Sequence, residues 1–253
     1  MIRFDHLHID YRPYPIGLIK PAFADDVYRE LSETFPGPDI VPAFHWNADG
    51  EPSKYSLSEK SEPAVLRKFL ATHRIWATLF EYLKSQEFIY ATLAALRDSR
   101  IDLMLPSQRA TSILGKAKKC ADDLLRGHWP IPHRRLRTNI EFSLMPANNG
   151  YIRPHSDAPA KLITLVISMA NGSEWKHEFG GGTEVVEPLD PSQDYNLENR
   201  SLDFDQVNTI RVYEYQANQC VLFVKTFNSW HAVRPMNAGG DAPMRKTLTV
   251  NIV

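Results

Sequence analysis

A histidine and an aspartate stand one residue apart in the segment PHSDAPAKLITLVIS, as His155 and Asp157. In an extended chain residues i and i+2 point to the same face, so this imidazole and this carboxylate can converge on one ion. The pattern H-x-D is short enough to occur by chance, and elsewhere such residues often cap or hydrogen-bond. A metal site therefore requires a third ligand from another part of the chain.

His231 is the candidate for that third ligand. It follows the apolar run QCVLFVK, at the end of a predicted strand, and lies 74 residues after Asp157. Two histidines and one carboxylate on one face of a metal leave the opposite positions open, which is the arrangement preferred by non-haem Fe(II) oxygenases. The open positions accept a reductant and O2. His155, Asp157 and His231 therefore predict an Fe(II) site.

A candidate receptor for a carboxylate follows in the segment PMRKTLTVNIV. Arg245 and Thr247 are an i, i+2 pair, so they share one face of the predicted last strand. A guanidinium fork beside a hydroxyl suits a carboxylate. The spacing of 14 positions from His231 to Arg245 predicts that the arginine lies one hairpin further on, which suits a co-substrate that chelates the metal at one end. The alternative is a surface Arg-Lys pair, with Lys246 or Lys161 as the next candidate receptors.

The segments PHSD, SWHAVRPM and MRKTLTVNI resemble the Fe(II)/2-oxoglutarate-dependent dioxygenase superfamily, in its prolyl 4-hydroxylase-like branch. The family pattern is H-x-D, a long gap, a second histidine and then an arginine or lysine. EFGGGTEVVEP is similar to the Gly-Gly segment of that family, and YPIGLIKPAFADDVYRELSETFP to its first strand and helix. The resemblance covers nearly the whole chain.

The resemblance implies a double-stranded β-helix, or jelly roll, with the metal at one open end. His155, Asp157 and His231 would hold Fe(II), and Arg245, helped by Thr247, would bind the distal carboxylate of 2-oxoglutarate. The implied reaction uses O2 to hydroxylate an unactivated C–H bond while 2-oxoglutarate is converted to succinate and CO2. Ascorbate is a further candidate cofactor, and the substrate is a small molecule or a peptidyl group.

The elements that must position these residues begin with helices. Apolar residues at helical spacing predict a helix over 24–35 and a helical tract over 62–98, in which Ser85 is an N-cap. A weaker helix is predicted over 114–125. The N-terminal half is therefore expected to support the site without carrying it.

Short β-rich runs separated by turn residues follow from residue 136 onwards and predict several strands. They are LRTNIEFSLM, KLITLVISMA, GGTEVVEP, NTIRVYEY, QCVLFVK and KTLTVNIV. The whole predicts a mainly β fold with N-terminal helices, in which a jelly-roll core is buttressed by helices. We expect one domain over 1–253, with helical support and a first strand in 1–135 and the core in 136–253. The polar segment 190–205 is either a mobile lid or a surface insertion.

Composition and charge argue against several classes of partner. Hydrophobic residues make up 43% and charged residues 23%, and the net charge of −1 gives no basic field for nucleic acid or an anionic membrane. No apolar stretch approaches the roughly 20 residues of a membrane span, and the N-terminus lacks the apolar core of a signal peptide. We expect a cytoplasmic protein that binds neither nucleic acid nor membranes; its oligomeric state is not predicted.

Three rival interpretations stay open at this point. A non-catalytic module of the same fold would bind metal or 2-oxoglutarate without turnover. A zinc hydrolase on another β fold would retain zinc and ignore 2-oxoglutarate. His6 and His8 form a second i, i+2 pair, but no carboxylate and histidine follow them at suitable spacing.

Overall fold

The computed structural model describes residues 2–46, 50, 52–103, 136–171, 174–239 and 243–253. The helices within these residues are α1 (Asp25–Glu33), α2 (Pro63–Thr72), α3 (Arg74–Lys84) and α4 (Gln86–Asp98). The strands are β1 (Leu7–Asp10), β2 (Ile16–Ile19), β3 (Ala43–Trp46), β4 (Pro52–Ser58), β5 (Thr138–Pro146), β6 (Ile152–His155), β7 (Ile163–Ser168), β8 (Thr183–Pro188), β9 (Val207–Tyr213), β10 (Gln219–Val224), β11 (His231–Val233) and β12 (Met244–Ile252). The helix predicted over 114–125 lies outside the described residues.

The strands form two antiparallel sheets of a jelly roll. The larger sheet has the order β1-β2-β10-β7-β12-β5-β4-β3, and the smaller has the order β6-β11-β8-β9. Consecutive strands of the core often belong to different sheets, as β5 and β6 do, because a jelly roll passes the chain back and forth between its layers. The predicted mainly β fold with a jelly-roll core is confirmed.

One face of the larger sheet packs in the hydrophobic core and the other lines a cavity, as the residues of β12 show. Leu248 and Val250 are fully buried in the hydrophobic core. Arg245 and Thr247 have the opposite parity along the strand, and they line a cavity between the sheets. Because side chains alternate with a period of two, one strand serves both the core and the cavity.

The helices cover the core face of the larger sheet, and Phe142 of β5 lies at the centre of that contact. Its ring centroid is 4.8–5.6 Å from four aromatic rings of the helical layer, those of Phe35, Phe69, Trp76 and Phe80. Aromatic rings at this separation bury a large apolar area. The helices are therefore attached to the sheet that carries Arg245.

The helical tract predicted over 62–98 consists of three helices. The backbone leaves the helical conformation at His73 and again at Ser85. The Ser85 Oγ accepts a hydrogen bond of 3.1 Å from the Phe88 N–H, which confirms the predicted N-cap of α4. Helix α1 agrees with the prediction over 24–35. No helix in the described part of the chain is long and apolar enough to cross a bilayer.

Two expectations about the path of the chain are wrong. His231 begins β11 of the smaller sheet rather than ending the strand that contains QCVLFVK. Arg245 is not one hairpin beyond it, because β11 and β12 belong to different sheets. Sequence distance suggested a hairpin, whereas the chain crosses between layers.

Replacing Phe142 with alanine should lower the free energy of unfolding by about 3–5 kcal/mol, because loss of the ring leaves an empty space between the helices and the sheet. Urea denaturation measures this value. Phe44→Ala is the matched control: the Phe44 side chain is 47% exposed, and its loss should cost within about 0.5 kcal/mol. Equal losses for the two variants would contradict the role given to Phe142.

Candidate metal centre

The centre begins with a pair of histidines on neighbouring strands. His155 ends β6 and His231 begins β11, and the two residues are directly opposite in the antiparallel register. Such partners have Cβ atoms about 4.5–5.5 Å apart. The two ring centroids are 4.3 Å apart. Strand pairing therefore brings together two imidazoles that are distant in the sequence.

Each histidine is oriented by a backbone carbonyl. The Nδ1 atom of His155 is 2.9 Å from the Arg153 oxygen, and that of His231 is 2.9 Å from the Ser229 oxygen. A carbonyl only accepts hydrogen bonds, so each Nδ1 carries the hydrogen and each Nε2 keeps its lone pair. This carbonyl partner is the usual second contact of a metal-binding histidine.

Asp157 reaches the same point through a turn. It lies beyond the end of β6 and has a φ of 70°, in the left-handed region that aspartate tolerates better than most residues. The Asp157 Oδ1 atom is 3.6 Å from the His155 Nε2 atom. The i, i+2 prediction was correct about proximity but not about its cause, because the turn rather than strand alternation directs the carboxylate.

Potential ligand atoms of His155, Asp157 and His231 all lie within 4.8 Å of one another. Among the described residues, this is the group of three histidine, cysteine or carboxylate side chains arranged to hold a metal ion. One oxygen and two nitrogen donors suit Fe(II) in a facial triad. His6 and His177 do not join it: they contact Asp5 and Glu214 instead.

The larger sheet holds the Asp157 carboxylate. The Thr164 hydroxyl is 2.9 Å from Asp157 Oδ2 and 2.9 Å from Asn251 Oδ1. A hydroxyl has one hydrogen to donate, and the charged carboxylate is the stronger acceptor. The Lys161 ammonium lies 2.6 Å from Oδ1. Sequence reasoning did not find Thr164 or Asn251, although each is a polar residue within an apolar strand.

The local electrostatics keep the donors in their binding forms. Burial alone would raise the pKa of Asp157, but the neighbouring His155 and His231 and the positive charge of Lys161 hold it well below its usual value. Burial, together with the neighbouring His155, lowers the pKa of His231 to about 3. At neutral pH the centre therefore offers an ionised carboxylate and a neutral buried imidazole.

Arg245 is a buried cation without an acidic partner. Its side chain is 3% exposed, its Nε donates to the Gly181 carbonyl at 2.6 Å, and its guanidinium lies 5.0 Å from the Tyr215 ring centroid. No carboxylate of the described residues forms an ion pair with it. Burial lowers its pKa to about 10, so it stays charged at neutral pH. A buried charge without a counter-ion is costly, so this guanidinium is suited to bind an anion.

Gly181 allows this approach of the arginine. Its φ is 79°, and an added Cβ would lie 2.9 Å from the Met236 sulfur and 3.2 Å from the Arg245 Cδ. The absence of a side chain at Gly181 therefore permits this close approach just before β8.

One cavity of about 580 Å³ contains both the candidate metal ligands and the Arg245 guanidinium. The three potential metal ligands, Arg245 and Thr247 all line it, so the structure brings the five predicted site residues together. Lys161 also lines the cavity. Lys246 follows Arg245 on the strand, where alternation directs its side chain to the other face. The donor set fits a divalent metal, and the buried guanidinium fits a carboxylate.

Comparison with known proteins finds a family model that matches the C-terminal part of the chain. Residues 140–253 match the family model described as the 2OG-Fe(II) oxygenase superfamily. No curated protein matches the chain.

The fold is similar to that of solved prolyl 4-hydroxylases. A structure from Phytophthora capsici has a TM-score of 0.51 at 16% identity, and the match covers 94% of this chain and 58% of that one. A prolyl-4-hydroxylase from Pseudomonas putida has a TM-score of 0.43 at 14% identity, with coverages of 94% and 91%. At these identities the similarity describes the fold alone.

Thr164→Val should weaken metal binding about 10-fold, because residues that orient a metal ligand typically contribute that much or more. Anaerobic Co(II) titration, followed by visible absorption, measures the affinity. Thr92→Val is the control, since Thr92 is also buried but donates its hydroxyl to the Phe88 carbonyl in α4. If Thr164→Val bound Co(II) as tightly as the control, the hydrogen bond to Asp157 would have no part in the centre.

Proposed function

We propose, since residues 140–253 match the model of the 2OG-Fe(II) oxygenase superfamily, that the protein is a 2-oxoglutarate- and Fe(II)-dependent oxygenase and that it hydroxylates a C–H bond of its substrate. The observation that carries the proposal is that Arg245 shares one cavity with His155, Asp157 and His231. Its buried guanidinium forms no ion pair with a carboxylate of the described residues. A metal site alone would not require a buried cation. A metal site with a carboxylate receptor matches a co-substrate that uses both.

In this proposal His155 and His231 would hold Fe(II) through Nε2, and Asp157 would hold it through Oδ1, the oxygen that the Lys161 ammonium contacts in this structure. The remaining Asp157 oxygen keeps its hydrogen bond to Thr164, so the carboxylate presents one oxygen to the metal. When bound, Fe(II) couples the conversion of 2-oxoglutarate and O2 to succinate and CO2 with oxidation of the substrate. The three residues orient the metal and leave its other positions free.

Arg245 binds the distal carboxylate of 2-oxoglutarate, and Thr247 adds a hydroxyl donor on the same face of β12. The guanidinium is already fixed by Gly181 and Tyr215, so little side-chain entropy is lost on binding. Phe223, whose ring is 4.5 Å from the His231 ring, lines the same cavity and excludes water from it.

The substrate enters at the exposed rim of the cavity. His45, Trp46, Tyr151 and Arg153 form part of this rim and are exposed to solvent. The hairpin of β3 and β4 therefore contributes to substrate contact. The substrate is a small molecule or a peptidyl group.

The protein should form succinate when incubated with Fe(II), 2-oxoglutarate and ascorbate, even without a substrate, through uncoupled turnover. His231→Ala should lose Fe(II) binding and this activity, because two ligands hold the ion poorly. Chromatographic measurement of succinate and the iron content test both statements.

Absence of succinate, with no 2-oxoglutarate-dependent visible absorption in anaerobic Fe(II) protein, would favour a non-catalytic binding module. Retained zinc with indifference to 2-oxoglutarate would favour a hydrolase. Undiminished iron in His231→Ala would contradict the ligand assignment.

Arg245→Ala should raise the 2-oxoglutarate concentration needed for half-maximal succinate formation by at least about 30-fold, since loss of a buried charge partner costs about 2 kcal/mol or more. Its metal affinity should change little. Lys246→Ala is the matched control, because the neighbouring side chain lies on the other face of β12. An unchanged requirement in Arg245→Ala would move the carboxylate receptor to Lys161.

A further inference from the structure

Two loops carry the proposed metal ligands, and they contact each other through buried serines. Ser156 lies between His155 and Asp157, and Ser229 precedes His231 by two residues. The Ser229 Oγ is 3.3 Å from the Ser156 carbonyl and 2.8 Å from the Thr226 carbonyl. The loop after β6 and the loop before β11 therefore meet directly behind the metal centre.

Segment 190–205, between β8 and β9, is bonded to both of these loops through Asn196. The Asn196 carbonyl accepts a 3.0 Å hydrogen bond from the Ser156 hydroxyl, and its N–H donates to the Phe227 carbonyl at 2.7 Å. The Asn196 side chain is fully buried and makes two bonds of 2.7 and 2.8 Å with the backbone of Arg200. The side chain thus fixes the turn whose backbone joins the two loops.

Further bonds hold the segment on either side of Asn196. The buried Trp230 indole donates to the Asp194 carbonyl at 3.0 Å, and the Leu202 N–H donates to the Pro154 carbonyl at 3.0 Å. Trp230 and Pro154 each adjoin a proposed metal ligand. A surface insertion would satisfy its backbone groups within itself or with water. This segment instead directs the Asn196 carbonyl and N–H, the Asp194 carbonyl and the Leu202 N–H to residues beside His155 and His231.

Lys225 closes the same junction with a positive charge. Its ammonium is 2.7 Å from the Thr226 carbonyl and 3.4 Å from both the Ser156 hydroxyl and the Asn196 carbonyl. No carboxylate in the described parts of the chain forms an ion pair with it. Its donors are therefore directed at the point where the two loops and the segment meet.

We propose that segment 190–205 is a strut, meaning that it holds the loop after β6 and the loop before β11 together. Asn196 and Lys225 are positioning residues that keep the ligand atoms of His155, Asp157 and His231 close to one another. The inference rests on the proposed function, because it concerns the same metal centre. It also resolves the choice between a lid and an insertion: a lid must open, whereas this segment is bonded to both ligand-bearing loops.

Asn196→Ala should weaken Co(II) binding about 10-fold, as expected for a residue that orients metal ligands through others. The 2-oxoglutarate requirement at saturating metal should stay within about twofold of wild type. The reason is that Arg245 belongs to the larger sheet, whereas both histidine-bearing strands belong to the smaller one. Glu198→Ala, an exposed change in the same segment, is the matched control and should leave both values unaltered.

Lys225→Met gives a second test, in which the direction of the change in Co(II) affinity distinguishes two roles of the ammonium. This test remains available if Asn196→Ala fails to fold. If the ammonium joins the loops, its loss weakens Co(II) binding, and Lys225→Arg restores it. If the ammonium acts only as a nearby positive charge, its loss tightens Co(II) binding, which would overturn the positioning role.

The wild-type protein separates this inference from the proposed function. A wild type that binds no Co(II) would overturn the proposed function and the strut with it. A wild type that binds Co(II), with folded Asn196→Ala and Lys225→Met proteins of equal affinity, would overturn the strut alone. Thermal unfolding of each variant identifies the folded proteins.

Discussion

The antiparallel pairing of β6 with β11 is the interaction on which the site depends. It places His155 directly opposite His231, and a shift of one residue would turn one imidazole to the other face of the sheet. β11 is also paired with β8 through His231 and Val185, so its register is fixed from both sides. Three short strands thus determine whether two distant histidines can share an ion.

Two opposite charges are kept apart in one cavity, and this separation gives the cavity its chemistry. Asp157 is bonded to the Thr164 hydroxyl and the Lys161 ammonium, whereas Arg245 is bonded to Gly181 and packs against Tyr215. The Thr164 hydroxyl also contacts Asn251 of β12. Arg245 and Asn251 lie on the same face of β12, and six residues of extended strand separate their Cα atoms by about 20 Å. Asp157 and Arg245 therefore form no ion pair with each other: the carboxylate is paired with Lys161 at the candidate metal site, and the guanidinium is left for an anion.

The residues of the candidate site were easier to predict from the sequence than the strand pairing and turns that bring them together. The i, i+2 spacing and the residue types were sufficient to select Arg245 with Thr247, because alternation along a strand is a local property. They also selected His155 with Asp157, although a turn rather than alternation brings that pair together. The pairing of β6 with β11 was not readable, since strands of four and three residues show no reliable period. The left-handed turn at Asp157 and the crossing from β11 to β12 depend on contacts between the layers, which a linear pattern does not contain.

The metal centre also links the two sheets, and each sheet contributes a different kind of constraint. The smaller sheet supplies both histidines, while the larger sheet orients Asp157 through Thr164 and carries Arg245. The larger sheet is stiffened by the aromatic contacts of Phe142 with the helices, but the smaller sheet has no comparable helical layer among the described residues. The histidine-bearing loops are supported instead by another loop: segment 190–205 is positioned for this because its backbone N–H and carbonyl groups are bonded to both.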